Sequence, residues 1–329
     1  MAYKVLIPQD VAAEGKEFLL ERGYEVIMGS GAAEEDLIRD AADCDAILLR
    51  TAPVTKAVME GAKRLKIIAR HGAGYNNVDL EAAEELGIWV TNAPDSTTIS
   101  VAEFTIGALV AAAKKTFFMS GKMKEGEFFY KNQSKGVDLI QKTLAVIGFG
   151  RIGREVARKA HAAFDMNIIA YDPYVKNDTV PAYVKMVEWD DAFSKGDFIS
   201  LHMPLTSTNK EAVGVREFER MKNTAFFINC ARGELVNEKA MVEAVKKNQI
   251  AGVFTDVFCK EPPETDNPLL SMENVTVTPH MASNTEECMI RMAVQAASQI
   301  DLVLSGERPL WAVNRPNLEN ETPALMEEG

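Results

Sequence analysis

The chain has 329 residues, 47% of them apolar and 26% charged, which suits a soluble protein with two ordinary hydrophobic cores. A net charge of −12 repels phosphodiester backbones, so nucleic acid is not expected as a partner, although a small anion can still bind where N–H groups and arginines converge. No apolar run reaches membrane-span length, and Cys44, Cys230, Cys259 and Cys288 are too scattered for a zinc site or a disulfide framework, so no membrane and no metal are expected.

The opening MAYKVLIPQD reads as a first strand and not as a signal peptide, and with reduced thiols this points to the cytoplasm. Strands are expected at Tyr3–Ile7, Tyr24–Met28, Ala46–Leu49, Lys66–Ala69 and Ile88–Thr91. Helical patterns lie between them, near Ala12–Arg22, Glu34–Ala42, Lys56–Ala62 and Leu80–Leu86. Such alternation implies a parallel sheet wrapped by helices. Pro94 interrupts it, and Ser100 with Glu103 reads as a capping box opening an apolar helix to about Met119. SGKMKEGEFFYKNQSKGVD then reads as a polar connection. A second alternation follows, with strands at Leu144–Ile147, Asn167–Tyr171, Phe198–Leu201, Ala225–Ile228, Gly252–Asp256 and Val275–Thr278. A last helix, about Thr285–Leu304, precedes a polar tail.

The second alternation opens on VIGFGRIGREVARKAHAAFDMNIIAYDP. A buried strand is followed by glycines at 148, 150 and 153 and then by an amphipathic helix. In a dinucleotide loop Gly148 permits the tight turn, Gly150 admits the pyrophosphate, and Gly153 lets helix and strand pack closely. Arg151 and Ile152 open the helix, whose free N–H groups and positive dipole end suit phosphate. Asp172 ends the next strand nineteen residues after Gly153, placed for a ribose diol. No arginine stands beside it for a 2′-phosphate, so NAD is the expected cofactor. A fingerprint in mid-chain suggests a cofactor domain inserted into another domain.

Hydride transfer at a carbon–oxygen bond needs a group to handle the alcohol proton, and histidine suits that at neutral pH. Of four histidines, His161 lies inside the helix after the glycine loop, where a packing or surface role is expected. His202 and His280 each follow a strand, where open α/β sheets meet ligands, and position alone does not choose between them. Arg232 and the Asp256–Glu261 segment also follow strands. An arginine can clamp a carboxylate with two parallel bonds, and a glutamate can fix a histidine tautomer.

Residues 40–315 resemble the D-isomer-specific 2-hydroxyacid dehydrogenases in the content and order of HGAGYNNVDLEAAEELGIWVTNAPDSTTISVAEF, GFGRIG, INCARGELV, DVFCKEPP and TPHMASNT. Within that family the phosphoglycerate dehydrogenases are most similar. The resemblance implies an α/β fold of two Rossmann-like, doubly wound parallel-sheet domains. An NAD-binding domain at 97–287 would be inserted into a flavodoxin-like substrate domain at 1–96 plus 288–329. It implies that Arg232, Glu261 and His280 are the catalytic set and that the Ala73 and Gly74 backbone holds the substrate carboxylate. Asp256 would partner the nicotinamide amide, with His202 and Pro204 beside the adenine end and Cys230 near the cofactor. A homodimer or homotetramer through the cofactor domain and its arm near 101–140 is also implied. His71 stands where a small residue is frequent, so substrate contact is expected of it. Arg50 and Arg70 end neighbouring strands, and a phosphorylated acid such as 3-phosphoglycerate would suit them. Hydroxypyruvate and glyoxylate remain open. No regulatory C-terminal domain follows WAVNRP, so feedback of that kind is not expected. An NADH-sensing corepressor-like binding protein is the reading from another class, and Glu261 argues against formate dehydrogenase, where glutamine stands in place of the acid.

Overall fold

The computed structural model describes residues 2–317. The chain divides into two compact units with boundaries after Thr97 and after Ser283. The second boundary precedes the expected residue 287 because Thr285 caps the last helix, its hydroxyl accepting from the Cys288 N–H, and that helix belongs wholly to the first unit.

The first unit contains β1 (Lys4–Ile7), α1 (Ala13–Glu21), β2 (Glu25–Met28), α2 (Glu34–Ala41), β3 (Ala46–Leu49), α3 (Lys56–Gly61), β4 (Ile67–Arg70), α4 (Leu80–Glu85) and β5 (Trp89–Thr91). Its all-parallel sheet has the order β2-β1-β3-β4-β5, the flavodoxin-like arrangement. The strands are short and apolar because both faces are covered: Leu6, Ile47, Leu49 and Ile68 face one core, Val5, Ile7, Leu48 and Ile67 the other.

The second unit runs through α5 (Thr98–Lys114), α6 (Thr116–Lys124), β6 (Thr143–Ile147), α7 (Arg151–Phe164), β7 (Asn167–Tyr171), β8 (Val184–Met186), α8 (Trp189–Lys195), β9 (Phe198–Leu201), α9 (Val215–Arg220), β10 (Phe226–Asn229), α10 (Glu238–Lys246), β11 (Gly252–Thr255) and β12 (Val275–Val277). Its seven parallel strands lie in the order β12-β11-β10-β9-β6-β7-β8. The strand order reverses at β6, the doubly wound switch point, and the glycine loop leaves the sheet there. The final helix α11 (Glu286–Leu304) packs on α1 and β4 of the first unit.

Four expectations are corrected. Ser100 is not a cap, since α5 already begins at Thr98 and Ser100 is buried inside its first turns. The expected helix to Met119 is two helices. Lys115 turns left-handed at φ 54°, because the Ala113 carbonyl that would carry the helix onward accepts the Val137 N–H of the returning chain at 2.8 Å. The polar connection therefore contains the end of α6 and a 3-10 turn at Phe128–Asn132. Strand β8 was missed; with three residues at a sheet edge it carries too little alternation to register. The polar tail is anchored as far as 317: Asn314 bridges the Val90 N–H and the Ile88 carbonyl, both at 2.8 Å.

Candidate active site

The glycine loop is built by close backbone approach. Gly148 sits at φ +92°, and a β-carbon there would lie 2.7 Å from the His202 carbonyl carbon, where β6 and β9 part. At Gly153 a β-carbon would stand 2.1 Å from the Gly148 oxygen, so α7 can close on the loop only with glycine. Gly150 differs: it is exposed and a β-carbon would meet no atom within 4 Å. The protein's own packing does not require glycine there, whereas a phosphate drawn to the α7 N-terminus does. Arg151 is exposed, and Ile152 packs its side chain partly into the core beneath. Asp172 accepts from the Phe149 N–H at 2.8 Å and the Tyr174 N–H at 2.9 Å, which holds its carboxylate at the loop with lone pairs left for a diol. These residues fit a dinucleotide.

Three turns follow the carboxyl ends of β10, β11 and β12. The β10 turn is shaped by Asn229, whose amide accepts from the Ala231 N–H and donates to the Arg232 carbonyl, both at 3.0 Å. Arg232 is half-buried and donates from Nη1 to the Ala231 carbonyl at 2.7 Å. Gly233 then presses on the β11 turn, a β-carbon there falling 2.0 Å from the Phe258 carbonyl carbon. In the β11 turn the Phe258 N–H donates to Glu261 Oε1 at 3.1 Å. Glu261 Oε2 lies 2.7 Å from His280 Nδ1, with the two side chains 37% and 47% exposed. A carboxylate only accepts, so Nδ1 carries the proton and Nε2 is the unprotonated nitrogen of the neutral ring. His280 is left-handed at φ 50°. The structure thus brings Glu261 and His280 into contact on one ligand-facing edge, with the Arg232 turn packed beside them.

His202 is separated from this pair by its surroundings. Its Nε2 is 2.9 Å from the Ser200 hydroxyl, and among the described residues it has no carboxylate partner; burial pushes its pKa down to about 3. It is neutral at ordinary pH and fits an orienting role better than proton transfer. Pro204 is exposed, its carbonyl accepting from Asn209 at 2.8 Å. Cys230 lies in the core, where burial raises its thiol to about 12 and leaves no reactive thiolate. Asp256 is fully buried, and its carboxylate takes bonds from Thr278, Met281 and Ala282, all on the loop that bears His280. His161 stacks on Tyr183, as a packing residue does.

In the first unit Leu49 and Arg70 are register partners, so Arg50 and His71 leave the sheet side by side. Arg50 donates to the Asp10 carbonyl at 2.9 Å, and Arg70 to Asn77 Oδ1 at 3.1 Å and to the His71 carbonyl. Asn77 also donates to the Ala52 carbonyl at 2.8 Å and so ties both strand ends together. Ala73 and Gly74 follow in the half-exposed turn, the Ala73 carbonyl held by Asn92 at 2.7 Å.

Residues 106–282 match the family described as "D-isomer specific 2-hydroxyacid dehydrogenase, NAD binding domain". The chain belongs to the D-isomer specific 2-hydroxyacid dehydrogenase family. It is 42% identical over 321 residues to the D-3-phosphoglycerate dehydrogenase of Methanocaldococcus jannaschii, covering 97% of this chain and 60% of that one. With the glyoxylate reductase of Korarchaeum cryptofilum it shares 35% over 334 residues, 99% of this chain and 100% of the other. The solved TT0316 protein of Thermus thermophilus superposes with a TM-score of 0.87 at 31% identity, covering 94% and 99%. The chain spans about 60% of the length of the Methanocaldococcus relative. Among the described residues no helix is long and apolar enough to cross a membrane, and no cluster of His, Cys, Asp and Glu could hold a metal ion.

Against the family pattern, three supporting residues escaped the sequence: Asn229, Asn77 and Thr278. Each lies inside a quoted motif, yet each acts through bonds to another segment or to a turn's backbone, which no spacing reveals. His71 is the departure with a physical consequence. It is 5% exposed and its Nε2–H donates to the Met289 carbonyl on α11 at 3.3 Å, so it ties helix to sheet and does not face solvent. Burial, then the Arg50 and Arg70 charges, push its pKa down to about 4. In the unfolded chain the ring binds its proton near pH 6.5, so acid favours unfolding. The stability it lends is complete above pH 6.5 and is lost as the pH falls towards 4, on the order of 3 kcal/mol in all. Denaturant unfolding of His71→Gln should therefore show a smaller loss of stability between pH 7 and 4.5 than the parent; equal losses would show the ring titrates normally.

Proposed function

We propose that the chain is an NAD-dependent D-2-hydroxyacid dehydrogenase that interconverts a 2-oxo acid and its D-2-hydroxy acid. The observation that carries this reading is the Glu261–His280 pair at 2.7 Å beside the Arg232 turn, in a unit whose glycine loop suits a dinucleotide. Gly148, Gly150, Gly153 and the α7 N-terminus would hold the pyrophosphate, and Asp172 a ribose diol. When bound, NAD supplies or accepts the hydride at C2. The guanidinium of Arg232 offers two parallel donors to the substrate carboxylate and opposes the negative charge that develops on the carbonyl oxygen. Nε2 of His280 gives the alcohol its proton in reduction and takes it back in oxidation. Glu261 holds Nδ1–H, so the ring keeps one tautomer and one orientation. In the first unit, Ala73 and Gly74 offer backbone N–H groups of the kind that suit a carboxylate. Exposed Phe117, Met123, Phe128 and Phe129 on and after α6, at 55%, 57%, 52% and 73%, support a homodimer or homotetramer through the arm near 101–140.

For the substrate, the observation that favours a phosphorylated acid is electrostatic. Arg50 and Arg70 both help to keep buried His71 neutral, so two guanidinium charges bear on the ends of β3 and β4. The relative named D-3-phosphoglycerate dehydrogenase is consistent with this. NADH oxidation against phosphohydroxypyruvate, hydroxypyruvate, glyoxylate and pyruvate tests both levels. We expect the highest kcat/KM with phosphohydroxypyruvate, and a rise in KM for it alone in Arg50→Ala. Preference for an unphosphorylated acid would make the arginines bystanders. No turnover with any, while NADH binds, would favour an NADH-sensing binding protein.

A further inference from the structure

We infer that the buried carboxylate of Asp256, acting with the Thr278 hydroxyl, is the positioning group that keeps His280 on Glu261; this rests on the proposed role of His280. The carboxylate is 0% exposed, and among the described residues its side chain forms no ion pair. A buried charge without a counter-ion is costly unless donors surround it. The donors are all on one loop. Oδ1 accepts from the Thr278 hydroxyl at 2.6 Å and the Met281 N–H at 2.9 Å, and Oδ2 from the Ala282 N–H at 2.8 Å. The Asp256 carbonyl also accepts the His280 N–H at 2.8 Å. Residues 278–282 are thus gripped on both sides of His280.

That grip explains the backbone of His280. At φ 50° a residue with a β-carbon is strained, and such a conformation persists only where the surroundings over-determine it. The left-handed turn at 280 sends the imidazole away from the sheet and onto Glu261 Oε2. Loosening the loop lets the backbone relax and swings Nδ1 off the carboxylate. Asn cannot replace Asp here without setting an NH2 group against one of the three donors. Oδ2 accepts only one of these bonds and keeps a lone pair, so the grip on the loop is read from the His280 ring and not from NADH binding alone.

The test uses the full-length protein labelled with ¹⁵N-histidine. Four histidines make the ring spectrum tractable, and the His280 signals are those lost in His280→Asn. In the parent, Nδ1 and Nε2 of His280 should give the well-separated shifts of one locked tautomer. In Thr278→Val those shifts should converge and kcat should fall by roughly ten- to a hundredfold, while the NADH dissociation constant stays within about twofold. Thr278→Ser should restore both, and Thr278→Ala gives the same readout should valine prevent folding. Unchanged His280 shifts in Thr278→Val would overturn the inference. So would weakened NADH binding with those shifts unchanged, which would make the carboxylate a cofactor ligand. The proton-transfer role is judged separately: turnover retained by His280→Ala refutes that role and leaves the ring spectra to decide the clamp.

Discussion

His280→Ala is expected to lower kcat with the preferred 2-oxo acid by roughly 10²- to 10⁴-fold, the range for losing a positioned acid–base group. NADH affinity, read by fluorescence, should be unchanged, because the glycine loop and Asp172 lie at β6 and β7 while His280 follows β12. The choice of His280 over His202 comes from their environments. His280 is paired with a carboxylate and half-exposed; His202 is half-buried, neutral and hydrogen-bonded to Ser200. Arg232 remains to stabilise the charge on the carbonyl oxygen and water can supply the proton, so some turnover should survive the loss. A variant with parent-like kcat would remove His280 from the chemistry. His202→Ala would then be the next measurement, and a collapse of turnover there without loss of NADH binding would reassign the proton.

Gly233→Ala is expected to be the most damaging small substitution in the site. An added β-carbon would stand 2.0 Å from the Phe258 carbonyl carbon, 2.1 Å from its oxygen and 2.5 Å from the Cys259 nitrogen. These are backbone atoms and cannot swing aside as a side chain does. The β10 and β11 turns must separate, at a cost of about 2–3 kcal/mol in line with other forced overpacking. The separation also moves Arg232 relative to Glu261, since Phe258 donates the bond that orients that glutamate. We therefore expect a lower denaturation midpoint together with a fall in kcat/KM of about a hundredfold. Activity lost in proportion to folded protein alone would mean the turns are coupled only through stability. Parent values for both would contradict the close approach itself.

The features legible in the sequence are those made by neighbours along the chain. A buried strand, three spaced glycines and an acid at the next strand end mark the dinucleotide loop, because its physics lies within some thirty residues. Strand–helix alternation gave two parallel sheets for the same reason, since apolar runs and turns are local signals. Arg232, Glu261 and His280 were visible as candidates because each stands just after a strand.

Contacts between distant segments were not legible. Lys115 breaks the helix only because Val137 returns to take the Ala113 carbonyl. Residues 309–317 look like a polar tail until Asn314 meets the backbone of β5. His71 reads as a ligand until α11 covers it and the Met289 carbonyl accepts its hydrogen bond. Asp256 reads as a strand-end acid, and only folding shows its carboxylate enclosed by Thr278, Met281 and Ala282. In this protein the chain order of apolar, glycine and acidic residues determined the two sheets and the cofactor loop. Tertiary packing decided which histidine meets a carboxylate, because a 2.7 Å bond between residues 261 and 280 depends on turns held by other strands.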